Sequence, residues 1–455
     1  MNINLDDLSG ETNEGIKGTT SGGRWELRLQ DGRVLLANGG HDGGKSGKKW
    51  YLGLDTSGGG LADSIFLSHA HSDHKQEVGN FLAKYRAWNN FSGLCFDLGQ
   101  YNPAKTNREI VQLPKEKRAL RIWGSQEALL LLQRSYAKRG TFKHLVRGDE
   151  KNQSNREFVE VNDDEDDERD DCDGDGDVGD MDEGNEPVLM LSRTGHSVDS
   201  TGLLLQNESN DNRPTDGCKF LYTGDFITDP GGLFPPLSPR PTDVLYCECT
   251  FGHPKHVFPP LKEIKDHLLD WTEEQVTGSG VIIYGYPLGK NQEIVSALSG
   301  VSSDIKIIVD EETYFVNQLC EAVEGIELPP HHSYAEFSRK RKFWREEDFV
   351  LVLPIHQRFN KRFQKFEYLC CKRAICSGWV SDTKWVESMK VDEAFPLSGH
   401  PDFPSLLSFI ERCQPRALLL GHGNGTWVRH EVQAAREKAF SDGISRDIRV
   451  YPLTR

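Results

Sequence analysis

The sequence predicts an α/β protein in which one mixed α/β body is interrupted by a second α/β unit. Three observations point to this. Short apolar strand-like runs and helix-period segments alternate along most of the 455 residues. A Pro-containing stretch at 254–260 breaks that pattern, because clustered prolines continue neither a ladder nor a helix. Beyond it strand and helix alternate again in the manner of a parallel sheet. At about 150 residues per domain, the length allows two or three domains.

The elements follow in order. Runs at 24–29, 34–37, 50–55 and 64–68 read as strands, followed by a helical pattern at 73–85, a strand at 119–123 and a Leu-rich helix at 126–138. Further strands are expected at 188–192, 202–206, 219–223 and 244–248. After the prolines come strands at 281–284, 305–309, 350–353 and 373–376, with helices starting at Asn291 and Glu311. From about Ala394 the pattern is strand, helix (403–413), strand (417–420), helix (428–440) and a last strand near Arg449. The division is therefore 1–250 for the first part of the core, 251–393 for the inserted unit and 394–455 for a C-terminal return.

Composition narrows the function. The chain has 54 Lys+Arg against 70 Asp+Glu, a net charge of −16, and 36% hydrophobic residues. Taken whole, that charge argues against a nucleic-acid partner, since phosphate binding relies on Lys and Arg. Its source is local: residues 163–186 hold 15 acids and only Arg169, leaving 55 acids and 53 bases, a net of −2, elsewhere. Such a segment repels itself and buries no apolar surface, so it is expected to be a disordered insertion. Within it, Asp171, Asp173, Asp175 and Gly176 follow the spacing of a calcium-binding loop, but no amphipathic helices flank them, and a low-complexity tract explains the pattern better. The acidic start and the lack of a long apolar run argue against a membrane protein or a secretory leader. Ten cysteines without a CxxC pair, mostly in apolar runs, suit buried thiols in a reducing compartment. An intracellular protein is expected, cytoplasmic in a prokaryote or nuclear in a eukaryote.

The strongest chemical signal is His69-Ala-His71-Ser-Asp73-His74, directly after the strand-like run 65–68. Three imidazoles and a carboxylate are thereby gathered where a strand gives way to a helix. That is a ligand set for two borderline-hard cations such as Zn²⁺, against the plainer reading of a His-rich surface loop. Later strand ends carry His196 in TGHSVDSTG, Asp225 in LYTGD and Asp55 in WYLGLD; singly, each reads as an ordinary turn residue.

In this order the motifs resemble those of the metallo-β-lactamase superfamily. The resemblance implies an αββα sandwich, with Asp55 orienting the ligand loop. Glu248 in YCECTFG, His400 in LSGHPDF and His422 in LLLGHGNG resemble the three further motifs of β-CASP nucleases, which insert an α/β domain into that fold. Within that group the sequence is most similar to DNA-ligase-associated exonucleases, over roughly residues 50–430. Departures are Cys249 for the usual Ser, Gly399 for the usual Asp, and no Leu-Gly after His196.

The resemblance implies a DNA exonuclease working from the 5′ end in repair or processing, with an RNA-processing enzyme as the alternative; a non-catalytic scaffold or a small-molecule hydrolase fits less well. It assigns His69, His71 and His196 to one Zn²⁺, Asp73, His74 and His422 to the other, and Asp225 as the bridge; Mn²⁺ is a possible substitute. His400 is left to protonate the leaving oxygen, oriented by Glu248. If His400 is instead a ligand, it exchanges roles with His422, and spacing does not decide between them. The catalytic set is then Asp73, Asp225, Glu248 and His400.

Single-stranded DNA or RNA is the expected partner, with a DNA ligase or other repair proteins as associates. Gly289 and Lys290 at a strand-to-helix junction suit a phosphate, or form an ordinary turn. Ser377 and Gly378 lie in a matching Cys-Ser-Gly-Trp motif. Arg341, Lys342 and Arg358 belong to stretches where basic and aromatic residues interleave, suiting strand tracking with base stacking, or simply a solvated face. The acidic insertion beside such a site would compete with nucleic acid.

Overall fold

The computed structural model describes residues 25–28, 34–38, 52–55, 64–75, 91–96, 118–137, 145–147, 187–207, 219–276, 280–323, 325–340, 342–363, 366, 369, 371–441 and 449–452. The acidic segment 163–186, the helical pattern beyond Lys75, and Arg341 lie outside these residues. The fold is mixed α/β.

An antiparallel hairpin of β1 (Trp25–Arg28) and β2 (Val34–Asn38) precedes a five-stranded parallel sheet. This sheet holds β3 (Leu52–Leu54), β4 (Ser64–Phe66), β5 (Phe91–Phe96), β6 (Arg118–Trp123) and β7 (Leu145–Arg147), in the order β3-β4-β6-β5-β7. The short helix α1 (Ser72–Lys75) follows β4, and α2 (Gln126–Ala137) follows β6.

A second sheet is built from β8 (Pro187–Arg193), β9 (Thr201–Asn207), β10 (Lys219–Tyr222) and β11 (Val244–Cys249). The first three are antiparallel neighbours, and β11 joins β10 in parallel. Rings of Phe66, Tyr222 and Tyr246 carry contact from the first sheet into the second.

The third sheet follows the prolines and the helix α3 (Leu261–Gln275), which the sequence reading did not anticipate. Its strands are β12 (Val281–Gly285), β13 (Lys306–Val309), β14 (His331–Ser333), β15 (Phe349–Pro354), β16 (Lys372–Cys376) and β17 (Glu393–Phe395), all parallel, in the order β14-β13-β15-β12-β16-β17. Its helices include α4 (Lys290–Ala297), α5 (Glu311–Glu321), α6 (Tyr334–Phe337), α7 (Phe343–Glu346) and α8 (Thr383–Met389). Every residue of β12 and β15 is buried, as expected for central parallel strands covered on both faces. Val281, Ile283, Val350 and Val352 pack with Leu268 and Trp271 on one side; Ile282, Tyr284, Leu351 and Leu353 pack with Trp344 and Phe366 on the other. Each such side chain contributes roughly 1.5–3 kcal/mol. Because β17 pairs with β16, this sheet runs past residue 393, where the sequence reading placed the end of the inserted unit.

The chain then returns through α9 (Phe403–Cys413), β18 (Ala417–Gly423), α10 (Thr426–Ser441) and β19 (Arg449–Pro452), and the last two strands complete the second sheet as β19-β18-β11-β10-β9-β8. Helix α9 starts because Asp402 accepts a hydrogen bond from Ser405 N and Pro404 sits in the first turn. It buries Leu406, Phe409, Ile410 and Cys413 at helical spacing, and ends on Gln414 in the left-handed conformation. Among the described residues no helix is long and apolar enough to cross a membrane. Six described cysteines, Cys247, Cys249, Cys320, Cys371, Cys376 and Cys413, are buried.

Candidate metal centre

The expected metal ligands gather where strands β4, β8, β10 and β18 end or turn. Strands β3 and β4 are parallel, so Asp55 and the 68–74 loop leave the same edge of the first sheet. The β8–β9 turn carrying His196 lies at the same edge as the end of β10, where Asp225 follows, because Leu203 pairs with Tyr222. Glu248 and His422 end the neighbouring parallel strands β11 and β18. Parallel strand ends are where such folds place ligands, since the loops there converge.

Two backbone irregularities aim side chains into this space. Glu248 pairs with Gly421 and Cys249 with Gly423, so His422 is the extra residue of a β-bulge, with φ of +52°. The bulge turns its imidazole out of the strand alternation. Gly224 has φ of +56°, and a Cβ there would lie 2.8 Å from that of Ser68; only glycine lets Asp225 reach the 68–74 loop.

The outward nitrogen of each imidazole assigns its tautomer. Ser68 Oγ donates to Asp55 Oδ2 (2.8 Å), so it can only accept from His69 Nδ1 (3.0 Å), leaving the His69 Nε2 lone pair free. His71 Nε2 donates to Leu288 O (3.1 Å), leaving Nδ1 free. His196 Nδ1 donates to Gly399 O (2.6 Å), leaving Nε2 free. Three lone pairs therefore meet: His71 Nδ1 is 2.9 Å from His69 Nε2 and 3.0 Å from His196 Nε2, with no proton between them. Asp225 Oδ2 completes the group at 3.5 and 3.9 Å from His69 Nε2 and His196 Nε2. Acceptors at this spacing repel one another, and the group could hold a cation. A tetrahedral Zn²⁺ site has donor atoms about 3.3 Å apart, and these separations fit it. Burial holds the His69, His71 and His196 pKa values below the ordinary imidazole value, keeping the rings neutral and available as ligands.

A second group adjoins it. His74 Nδ1 donates to Asp55 Oδ2 (2.8 Å), and its Nε2 lies 3.2 Å from Asp225 Oδ2, 3.3 Å from His422 Nε2 and 3.9 Å from Asp73 Oδ2. His422 Nε2 is 3.0 Å from Asp73 Oδ2. Here burial acts against charge, but Asp225 and Asp55 push His74 well above its usual pKa, and Asp225 with Asp73 pushes His422 up to about 9. Despite its own burial, Asp225 is held well below the usual carboxylate range by His422, His74 and His400. Asp225 Oδ1 lies 2.9 Å from His422 Nδ1 without meeting hydrogen-bond geometry, and is otherwise unpartnered. One carboxylate oxygen, Oδ2, thus borders both ligand groups, and the residues could hold two cations.

His400 borders the first group, with its ring centroid 4.6 Å from that of His196 and its Nδ1 4.0 Å from Asp225 Oδ2. Its Nδ1 lies 3.0 and 2.9 Å from the two Glu248 oxygens, which also accept from Phe226 N (2.9 Å) and Thr250 Oγ1 (2.5 Å). Its side chain is partly open, and Nε2 has no partner among the described residues.

Several residues here escaped sequence reasoning. Asp199 accepts from Ala70 N (2.7 Å) and Ser197 Oγ (2.6 Å), tying the His196 loop to the 68–74 loop; its place three residues after His196 was the available signal. Tyr222 donates to Asp55 Oδ2 at 2.6 Å. The carbonyls of Leu288 and Gly399 carry no sequence signal, because any residue supplies one.

The expected nucleic-acid contacts fare differently. Gly289 has φ of +79°, and a Cβ there would lie 2.4 Å from the His196 carbonyl, so this glycine packs the third sheet's loop onto the metal loop. Lys290 is only 8% exposed and its Nζ has no hydrogen-bond partner; burial brings its pKa down to about 8. A phosphate does not reach it in this conformation. Ser377 accepts from Trp379 N, and a Cβ on Gly378 would meet the Phe251 ring at 2.3 Å. Lys342 is exposed and pairs with Glu346 (3.5 Å) before β15, at the sheet edge opposite the metal centre. Arg358 Nη1 donates to Met389 O (2.6 Å). Of the aromatics interleaved with these bases, Trp344, Phe363 and Phe366 are buried and only Phe359 is freely exposed, because this segment covers one face of the third sheet.

No family model matches the chain. A curated protein of Opitutus terrae named "Probable DNA ligase" is 28% identical over 262 residues, covering 56% of this chain and 23% of that protein. The chain thus spans under a quarter of that relative's length. A crystal structure of a protein of unknown function from Enterococcus faecalis V583 aligns over 89% of this chain and 92% of its own, at 13% identity and a TM-score of 0.45.

Proposed function

We propose that this protein is a two-metal phosphodiesterase acting on nucleic acid, an exonuclease of the metallo-β-lactamase and β-CASP type that works on DNA from the 5′ end. In this reading the first and second sheets form the αββα sandwich and the third sheet is the inserted domain. The observation that carries it is the meeting of three imidazole lone pairs with one oxygen of Asp225, an oxygen that also borders the second group. The relative named as a DNA ligase favours DNA over RNA as substrate.

His69, His71 and His196 would hold one cation, Asp73, His74 and His422 the other, with Asp225 between them. Cations there supply Lewis acidity toward phosphoryl oxygens and make water acidic enough to ionise near neutral pH. The remaining work belongs to the chain. Asp55 and Ser68 fix the tautomers of His69 and His74; Leu288 O and Gly399 O fix those of His71 and His196. Glu248 accepts the Nδ1 proton of His400, which lets Nε2 deliver a proton to the leaving 3′ oxygen and leaves a 5′-phosphate on the product.

The test is parallel digestion of end-labelled single- and double-stranded DNA and RNA with Zn²⁺ or Mn²⁺, using wild type, Asp73→Ala and His74→Ala. Loss of 5′-end DNA trimming in both variants is expected. Undiminished cleavage by the variants rejects the metal centre, and mononucleotides released only from RNA reject the DNA assignment.

A further inference from the structure

Among the described residues the large aromatic side chains open to solvent are Tyr286, Phe359, Trp379 and Trp427, at 37, 74, 40 and 43% exposure. Three of these four lie on chain segments that lead away from the metal centre: Tyr286 two residues before Leu288, Trp379 against Phe251, and Trp427 five residues after His422. Tyr286 follows β12, and the carbonyl of the nearby Leu288 accepts from His71 Nε2. Trp379 packs against Phe251 with ring centroids 5.1 Å apart, and Phe251 contacts His400 at 5.8 Å. Trp427, in the first turn of α10, meets His253 at 5.3 Å; His253 meets His256 at 6.1 Å, and His256 meets Trp379 at 6.0 Å. A run of rings therefore leads from His400 through the buried Phe251 and His256 to Trp427.

Four chain segments, at residues 251–256, 379, 400 and 427, contribute to this run, and the two tryptophans keep large uncovered areas. Scattered exposed apolar residues are normal on a protein surface, but aromatics gathered at the rim of one polar site are not. Each tryptophan is braced by an edge contact, at interplanar angles of 62° for Trp379 on Phe251 and 65° for Trp427 on His253. Bracing of this kind fixes the ring and leaves area free for a flat ligand. Lys255, exposed in the same loop as His253 and His256 and 4.0 Å from Asp382 Oδ2, can turn its ammonium to a phosphate backbone.

We propose that Trp379 and Trp427 form a stacking platform for unpaired nucleobases of the strand whose phosphodiester reaches the metal centre. Trp379 takes the base nearer His400, and Trp427 takes one further along. This rests on the phosphodiesterase reading and adds to it the element that selects single strands, since bases paired inside a duplex offer no free face. It also moves base stacking away from residues 339–366, whose rings are largely spent on the core.

The test uses the full chain with its metals and phosphorothioate-linked oligonucleotides that resist hydrolysis. Unpaired DNA, matched RNA, an abasic strand of equal length and duplex DNA are titrated while tryptophan fluorescence and affinity are followed. Base-bearing single strands of DNA or RNA are expected to quench fluorescence and bind more tightly than abasic strand or duplex. Trp379→Ala and Trp427→Ala should each weaken base-bearing strands by on the order of tenfold, with Trp379→Phe restoring most of the loss. Base-bearing affinity within about twofold of wild type in both alanine variants overturns the platform. So does equal binding of the abasic strand. If the wild-type protein with Zn²⁺ hydrolyses neither oligonucleotides nor bis(p-nitrophenyl) phosphate, the underlying phosphodiesterase reading fails; hydrolysis with tryptophan-insensitive binding rejects the platform alone.

Discussion

Asp55→Asn isolates the device that orients the ligands. The native carboxylate is buried and accepts four hydrogen bonds: Ser68 N to Oδ1 at 2.7 Å, and Ser68 Oγ, His74 Nδ1 and Tyr222 Oη to Oδ2 at 2.8, 2.8 and 2.6 Å. Asparagine has nearly the same shape and also tolerates the φ of +46° found here, so the backbone is not the variable. Its amide, however, offers one oxygen and one NH₂. In the better orientation the oxygen keeps the three Oδ2 donors, and the NH₂ opposes Ser68 N–H. The lost bond and the opposed donors cost about 1–3 kcal/mol, and replacing three charge-assisted bonds by neutral ones removes roughly 0.5–1 kcal/mol each. The expected loss of stability is about 2.5–6 kcal/mol. The same change weakens the bond that fixes the Ser68 hydroxyl, so His69 is held less firmly to presenting its Nε2 lone pair, and His74 loses its charged partner. Loss of such orienting contacts typically lowers metal affinity by about 10–100-fold. Stability is read by urea denaturation in chelator, and Zn²⁺ affinity by competition with a chromogenic chelator. Zn²⁺ affinity within about twofold of wild type would refute the reasoning, because the ligand tautomers would then not depend on Asp55.

Two further outcomes are expected. His400→Gln should lower kcat on an oligonucleotide by about 10²–10⁴ while bound metal stays constant, and should matter far less for bis(p-nitrophenyl) phosphate, whose leaving group needs no proton; a fall in metal content would make His400 a ligand instead. Lys290→Met should stabilise the protein at neutral pH. Burial lowers the Lys290 pKa from 10.5 to about 8, a gap worth about 3 kcal/mol. The unfolded chain holds this proton up to higher pH than the folded one, so the cost is full below about 8 and disappears as pH rises toward 10.5. Denaturation between pH 7 and 10.5 should show wild-type stability rising across that window relative to Lys290→Met; parallel profiles would contradict the buried-ammonium account.

Much of the strand and helix order was legible, because turn residues punctuate apolar runs whose period distinguishes strand from helix. Helix α9 was expected at 403–413, and its Asp402 cap, Pro404 and apolar spacing are all local signals. Helix α3 was missed: it follows prolines that read as a break, and its buried Leu261, Ile264, Leu268 and Trp271 are diluted by charge. The sheet that β17 joins was not legible, since three residues cannot say which neighbour they pair with. The aromatics between 339 and 366 show the limit most clearly. Composition makes them a stacking surface or a core face equally well, and only packing against β15 decides for core.

What the sequence determined by itself is the inventory of donors and their attachment to strand ends, because ligand type and loop position are local properties of the chain. Which atoms converge was decided by the tertiary structure alone. The bulge that swings out His422 arises from pairing between β11 and β18, and the Leu288 and Gly399 carbonyls that set the tautomers of His71 and His196 come from the third sheet. Residue type carries no record of such partners, since a backbone carbonyl is the same in every residue and a lone pair acquires its direction only when the other nitrogen of the ring is bound.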